Sequence, residues 1–181
     1  MHTQLITAFA AISLLALSAG CTPSDAGPMP VVPDALKVAP PQTLSLTARA
    51  VGVQIYDCVA SKVDPARYEW SFRAPEAQLY DAAGTPIGHH FAGPTWESND
   101  GSSVVGEARA RNDAPVPDAI PWLLLLATAS SGAGVLGRTT SIQRMETEGG
   151  TAPHDGCGPA QAGTQVRVPY RATYYFYVAG P

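Results

Sequence analysis

From residue 42 onward, apolar and polar positions alternate with a period of two, the pattern of a half-buried strand. In LSLTARAVGVQIYDCV, Leu44, Leu46 and Ala48 share one face, and Val51, Val53 and Ile55 follow after a shift near Gly52. A bulge or tight bend at that glycine would produce the shift. RYEWSFRA (67–74) is another short strand. AQLYD (77–81) runs into an Ala-Ala-Gly turn, and TPIGHHFAG (85–93) returns. TWES (95–98) and SSVVGEARAR (102–111) flank Asn99-Asp100-Gly101, a hairpin signal because Asp-Gly readily takes positive φ. AIPWLLLLATA (119–129) is a continuous apolar run that suits a strand covered on both faces. RTTSIQRMETE (138–148) is read as a strand, and the aromatic QVRVPYRATYYFYV (165–178) closes the series. No amphipathic helix and no long repeat interrupts them. The pattern predicts an all-β fold: a single-domain antiparallel sandwich or partly closed barrel of about nine or ten short strands.

The first forty residues break this pattern. Residues 1–20 contain no Asp, Glu, Lys or Arg, and Leu5 to Leu17 form an apolar stretch of signal-peptide length. Ser18, Ala19 and Gly20 lead into Cys21, so the segment is similar to a bacterial lipoprotein signal, with Cys21 as the lipidated residue. It departs from that signal in lacking a basic n-region and in placing Leu17 four residues before the cysteine. Plain secretion after cleavage at Ala19 is the alternative, and a retained anchor is a third. Residues 22–41 hold six prolines in twenty positions and read as an extended tether, because proline removes donors and disfavours helix. Val31, Val32, Leu36 and Val38 give that tether an apolar side able to dock on the domain. The expected organisation is signal peptide 1–20, tether 21–41 and all-β domain 42–181, exported to the periplasm or outer membrane, or secreted.

Composition narrows the partners. The 181 residues carry a net charge of −4 with no basic run, which excludes a nucleic-acid backbone as partner. Seventeen glycines and seventeen prolines fit many turns. Apart from Cys21, only Cys58 and Cys157 remain. In an oxidising compartment an even pair is by default a disulfide. It would close a loop of about 100 residues, worth roughly 4–5 kcal/mol in the chain-entropy model. A metal or redox pair is the competing reading, but no C-x-x-C is present.

Several segments in order carry a family resemblance: VQIYDC, WSFRAPEAQLYDAAGTPIGHHFAGPTWESNDGSSVVG, AIPWLLLLA, SGAGVLG, IQRMETEGGTAP and VPYRATYYFY. Together they resemble domain of unknown function family 3455, exported proteins of bacteria and fungi, over roughly residues 32–178. The resemblance implies a single secreted domain, and no activity is established for the family. His90, Gly93, Pro94, Thr95 and Trp96 fill its histidine-aromatic-x-Gly-Pro-Thr-Trp segment, and its two cysteines fall on Cys58 and Cys157. His89 lies outside the pattern.

Some fungal members of that family carry a malate dehydrogenase label, and Gly132-Ala-Gly134-Val-Leu-Gly137 is literally G-x-G-x-x-G. In a dinucleotide fold such glycines bring pyrophosphate to a helix N-terminus. Here RTTSIQRMETEGG lacks an apolar helical stripe, and too little chain follows for further βα units. A glycine-rich turn between antiparallel strands is the expected structure, and no cofactor is expected.

The densest chemistry lies in GHHFAGPTWESNDGS (88–102). In a strand, His89 and His90 point to opposite faces, so they cannot chelate one metal together. A metal would need His90 with Glu97, Asp100 or His154, and no H-E-x-x-H is present, so no metal site is assigned. Glu69, Glu76, Glu97, Asp100 and Glu107 are available for paired-carboxylate chemistry, but their separations are not legible in sequence. Ser102, Ser130 and Ser131 lack a nucleophile elbow. Tyr174, Tyr175, Phe176 and Tyr177 are a candidate carbohydrate platform, although a strand would divide them between two faces. No catalytic residue is assigned. The candidate ligand-binding residues are His90, Trp96, Glu97 and Asp100. They point first to a lipid-anchored, non-enzymatic domain that binds a small molecule, glycan or envelope protein. An extracytoplasmic hydrolase using His90 with Glu97 or Asp100 is the second reading, and a structural envelope protein the third.

Overall fold

The computed structural model describes residues 31–181. The expected signal peptide, Cys21 and the expected tether up to residue 30 lie outside the described residues. Eight strands follow in order: β1 Gln42–Ala60, β2 Tyr68–Tyr80, β3 Pro86–Phe91, β4 Thr95–Ser98, β5 Ser103–Asn112, β6 Trp122–Ser131, β7 Thr139–Gly149 and β8 Gln165–Ala179. Each pairs antiparallel with its neighbour in sequence. β8 returns to pair with β1, so the sheet closes into a barrel. Closure leaves no exposed sheet edge.

The strands are fewer and longer than the alternation predicts. RYEWSFRA and AQLYD are one strand, β2, because Ala74–Ala77 stay in register with Gly52–Ile55 of β1. A register shift at Ile55/Tyr56 leaves Arg73 as the extra residue there. The phase shift expected at Gly52 is absent. Ala48, Ala50 and Gln54 are all buried, whereas Val51 is exposed. Gly52 instead allows close approach, since a Cβ there would overlap the Glu76 carbonyl of β2. The irregularity lies earlier, between Leu44 and Leu46, and puts Leu46 inside the barrel and Leu44 outside it.

The barrel is filled by an inner cluster that includes Leu46, Ala48, Leu79, Trp96, Val104, Leu125, Ile142, Tyr174 and Phe176. A smaller outer cluster of Met145, Tyr175 and Tyr177 is covered by Val32, Val38, Leu44 and Trp122. The apolar side of the tether therefore docks, although Val31 itself is exposed. A single 3-10 turn, Asp34–Leu36, buries Leu36 completely. Gln143 Nε2 donates to the Leu36 carbonyl (2.7 Å), and Tyr177 donates to Gln143 Oε1 (2.7 Å). These bonds satisfy the amide that the tether buries.

The two ends of the barrel differ. One is plugged by the glycine-rich loop between β6 and β7, whose Leu136 enters the inner cluster. The G-x-G-x-x-G string is thus a turn between antiparallel strands. Asp100 holds it: its Oδ2 accepts from Val135 N–H (2.8 Å), and its Oδ1 from the Ser102 N–H (2.8 Å) and hydroxyl (2.6 Å). Ser102 Oγ in turn accepts from Leu136 N–H (3.0 Å). A Cβ at Gly134 would overlap the Asp100 carboxylate, so the loop needs glycine there. At the other end, Cys58 and Cys157 form a disulfide that ties the end of β1 to the β7–β8 loop. Trp70 Nε1 donates to Asp155 O of the same loop (2.9 Å), and Tyr56 donates to Gly150 O.

Candidate functional site

The disulfide-bearing end of the barrel is open. Its mouth leads to a cavity of about 410 Å³, with Phe72, Pro75, Leu123 and Leu125 as apolar wall and Gln54, Arg73, His90, Trp96, Arg144 and Tyr174 as the polar positions. A wider outer vestibule shares Gln54, Phe72, Ala108, Leu123 and Arg144 with it. Cavities of this size, mostly apolar with a few convergent polar groups, are the usual form of a small-molecule site.

Strand alternation assembles the inner wall. His90 of β3 lies opposite Trp96 of β4 in the ladder, and both point inward. Their rings stack, with centroids 4.3 Å apart and planes at 9°. Tyr174 of β8 meets both edge-on, at 5.1 Å from His90 and 5.2 Å from Trp96. The Gly93-Pro94 bend folds back so that Thr95 O lies 2.9 Å from His90 Nδ1. A carbonyl only accepts, so Nδ1 carries the proton and Nε2 is the acceptor. Burial holds the His90 pKa down at about 3, aided by the positive charge of Arg144 and opposed by the Thr95 bond. The imidazole is neutral at physiological pH.

Residues 39–178 match the family described as "Protein of unknown function (DUF3455)". The chain belongs to that family. No curated protein and no solved structure matches it.

In this DUF3455 domain the candidate residues divide. His90 and Trp96 converge in the cavity wall. Glu97 follows Trp96 in the strand and faces outward, directly across from His89. Asp100 sits at the plugged end, engaged by the glycine-rich loop. Its pKa is lowered to about 2, first by the Ser102 hydroxyl and then by the Val135 N–H. Neither carboxylate lines the cavity that His90 lines, so the geometry does not assemble His90 with Glu97 or Asp100 as an acid–base pair. Tyr174 and Phe176 fill the inner cluster, and Tyr175 and Tyr177 are covered on the outside, which leaves no exposed aromatic platform. Among the described residues, no group of three or more His, Cys, Asp or Glu side chains is placed to hold a metal ion.

Two residues of the DUF3455 cavity escaped the sequence reading. Gln54 is 2% exposed and its Nε2 has no hydrogen-bond partner; Trp96 is 1% exposed and its Nε1 has none either. Arg144 of β7 is the second. Its Nε and Nη2 both donate to Pro121 O, at 3.1 and 2.8 Å. The available signal was alternation: Ile142 and Arg144 share a face, so a core isoleucine implies an inward arginine two residues on.

Proposed function

We propose that this chain is an exported, lipid-anchored β domain that binds a small molecule in the open end of its barrel. The observation that carries the binding reading is the open, mostly apolar cavity, walled in part by Gln54 and Trp96, whose side-chain donors Nε2 and Nε1 are buried without partners. A buried donor left unpaired costs on the order of 1–3 kcal/mol. A ligand offering acceptors between the apolar walls would recover that energy and gain the flat face of the His90–Trp96 stack. Export is supported by the apolar stretch Leu5–Leu17 and by the disulfide. Lipid anchoring is supported by Cys21 directly after the small residues 18–20.

The test is a thermal-shift screen of the oxidised protein against organic acids, sugars, nucleosides and lipids, repeated with Ala108→Phe. Ala108 lines both cavity and vestibule, so a phenyl ring there obstructs the mouth. A ligand that raises the melting temperature of the wild type and not of Ala108→Phe is the expected result. Shifts of equal size in both proteins would place binding elsewhere, and no shift with any compound would defeat the cavity reading. Anchoring is tested separately: Cys21→Ala should release the protein from the membrane fraction.

A further inference from the structure

The geometry points to an organic carboxylate as the ligand, its charged end held by Arg144 and its body against the apolar wall. This deepens the cavity reading above and rests on it. Charge in the cavity is unbalanced. No Asp or Glu lines either the cavity or the vestibule. Two of the outer arginines are answered by acids: Arg73 lies 3.4 Å from Asp57, and Arg111 lies 3.5 Å from Asp113; the third, Arg109 of the vestibule, is exposed to solvent. Arg144, deeper and half-buried, is in no ion pair among the described residues. Its positive charge acts on Tyr56, His90, Tyr170 and Tyr174, and none of these is an anion at neutral pH.

The guanidinium is also fixed in place. Pro121 O takes its Nε and one Nη2 donor, which holds the plane; the remaining donors lie toward the neutral Tyr174 hydroxyl and have no acidic partner among the described residues. A fork of two parallel N–H groups matches the two oxygens of a carboxylate. Of the two arginines that line the inner cavity, Arg73 is paired with Asp57, so Arg144 alone is left to balance one negative charge there, which favours a carboxylate over a phosphate dianion. The neutral donors Gln54 Nε2 and Trp96 Nε1 remain for acceptors elsewhere on the ligand. Phe72, Leu123 and Leu125 supply a surface that an aromatic or branched apolar body would cover.

The experiment is calorimetric titration of the full chain with benzoate and 2-naphthoate, with the uncharged amide of each, and with 2-naphthyl phosphate. At least one carboxylate should bind tenfold or more tightly than its amide. Arg144→Gln should bring its affinity down to that of the amide. Arg144→Lys, which keeps the charge and loses the fork, should recover only part of the difference. Equal affinity for acid and amide in the wild type would overturn the carboxylate assignment and leave the cavity reading intact. Tightest binding by 2-naphthyl phosphate would overturn it in favour of a phosphate ester. If none of the five compounds binds, both readings fall. The wild-type comparison needs no variant, so a folding defect in Arg144→Gln leaves the test decisive.

Discussion

His90 lies flat on Trp96, ring centroids 4.3 Å apart, inside the barrel and with its Nδ1 proton committed to the Thr95 carbonyl. This makes the fold sensitive to acid. The unfolded chain takes up a proton at this histidine below its ordinary pKa of 6.5, whereas the folded chain resists until about pH 3. Between those values the unfolded state binds more protons, so stability falls as the pH drops through that window. At pH 5 the loss from this one group is about 2 kcal/mol. Urea denaturation at pH 7.5 and 5 should show it. His90→Phe, whatever its absolute stability, should lose correspondingly less over the same interval. An equal loss in wild type and variant would mean that other groups carry the acid sensitivity.

Asp100 is expected to act on stability and not on binding. Asp100→Ala removes the acceptors of the Val135 and Ser102 bonds and should cost about 2 kcal/mol. Amide exchange at Val135 and Leu136 should accelerate. Affinity for any ligand of the cavity should stay within about twofold, and Glu97→Ala should leave both stability and affinity unchanged. A large loss of affinity in either variant would restore these carboxylates as site residues.

Leu36 ties the tether to the barrel. Leu36→Ala should destabilise by about 3 kcal/mol, the usual cost of emptying a buried leucine site. Removal of residues 1–41 should do more, because it uncovers Met145, Tyr175 and Tyr177 together. Binding of a hydrophobic dye by the shortened chain is the readout. A shortened chain that is as stable and as dye-free as the whole would show that the packing of residues 32–38 contributes nothing.

Reduction should weaken the domain substantially. Cys58 and Cys157 are 99 residues apart in sequence, and the cross-link is worth roughly 4–5 kcal/mol in the chain-entropy model. Paired Cys58→Ser and Cys157→Ser substitutions should lower the urea midpoint accordingly. Thiol labelling of unreduced, denatured wild type should find neither residue reactive. Labelling at either position would mean that the bridge does not form.

What alternation could reveal was local. It located every strand, the hairpin at Asn99-Asp100-Gly101 and the opposite facing of His89 and His90. It divided β2 in two because nothing in YEWSFRAPEAQLY signals that the chain runs on in register past an extra residue at Arg73. Closure of the sheet was not legible either, since it depends on β1 meeting β8 across the length of the domain. Two of the four candidate residues meet for the same reason: His90 and Trp96 face each other across one short turn, a relation that sequence spacing encodes. Gln54 and Arg144 come from strands far apart in the chain, and only the closed ring brings them to the same cavity.

The seam between β1 and β8 has a consequence in time. Gln42 pairs with Ala179 and Asp57 with Gln165, so the first strand of the barrel is completed only by the last. Contacts of such sequence separation form slowly, after a large loss of chain entropy. Until the final fifteen residues of β8 are present, β1 keeps a bare edge and the ring stays open. A growing chain therefore cannot close this ring until β8 has been made. That delay would suit the export proposed above, in which the polypeptide crosses a membrane as an unfolded thread and closes only on the far side.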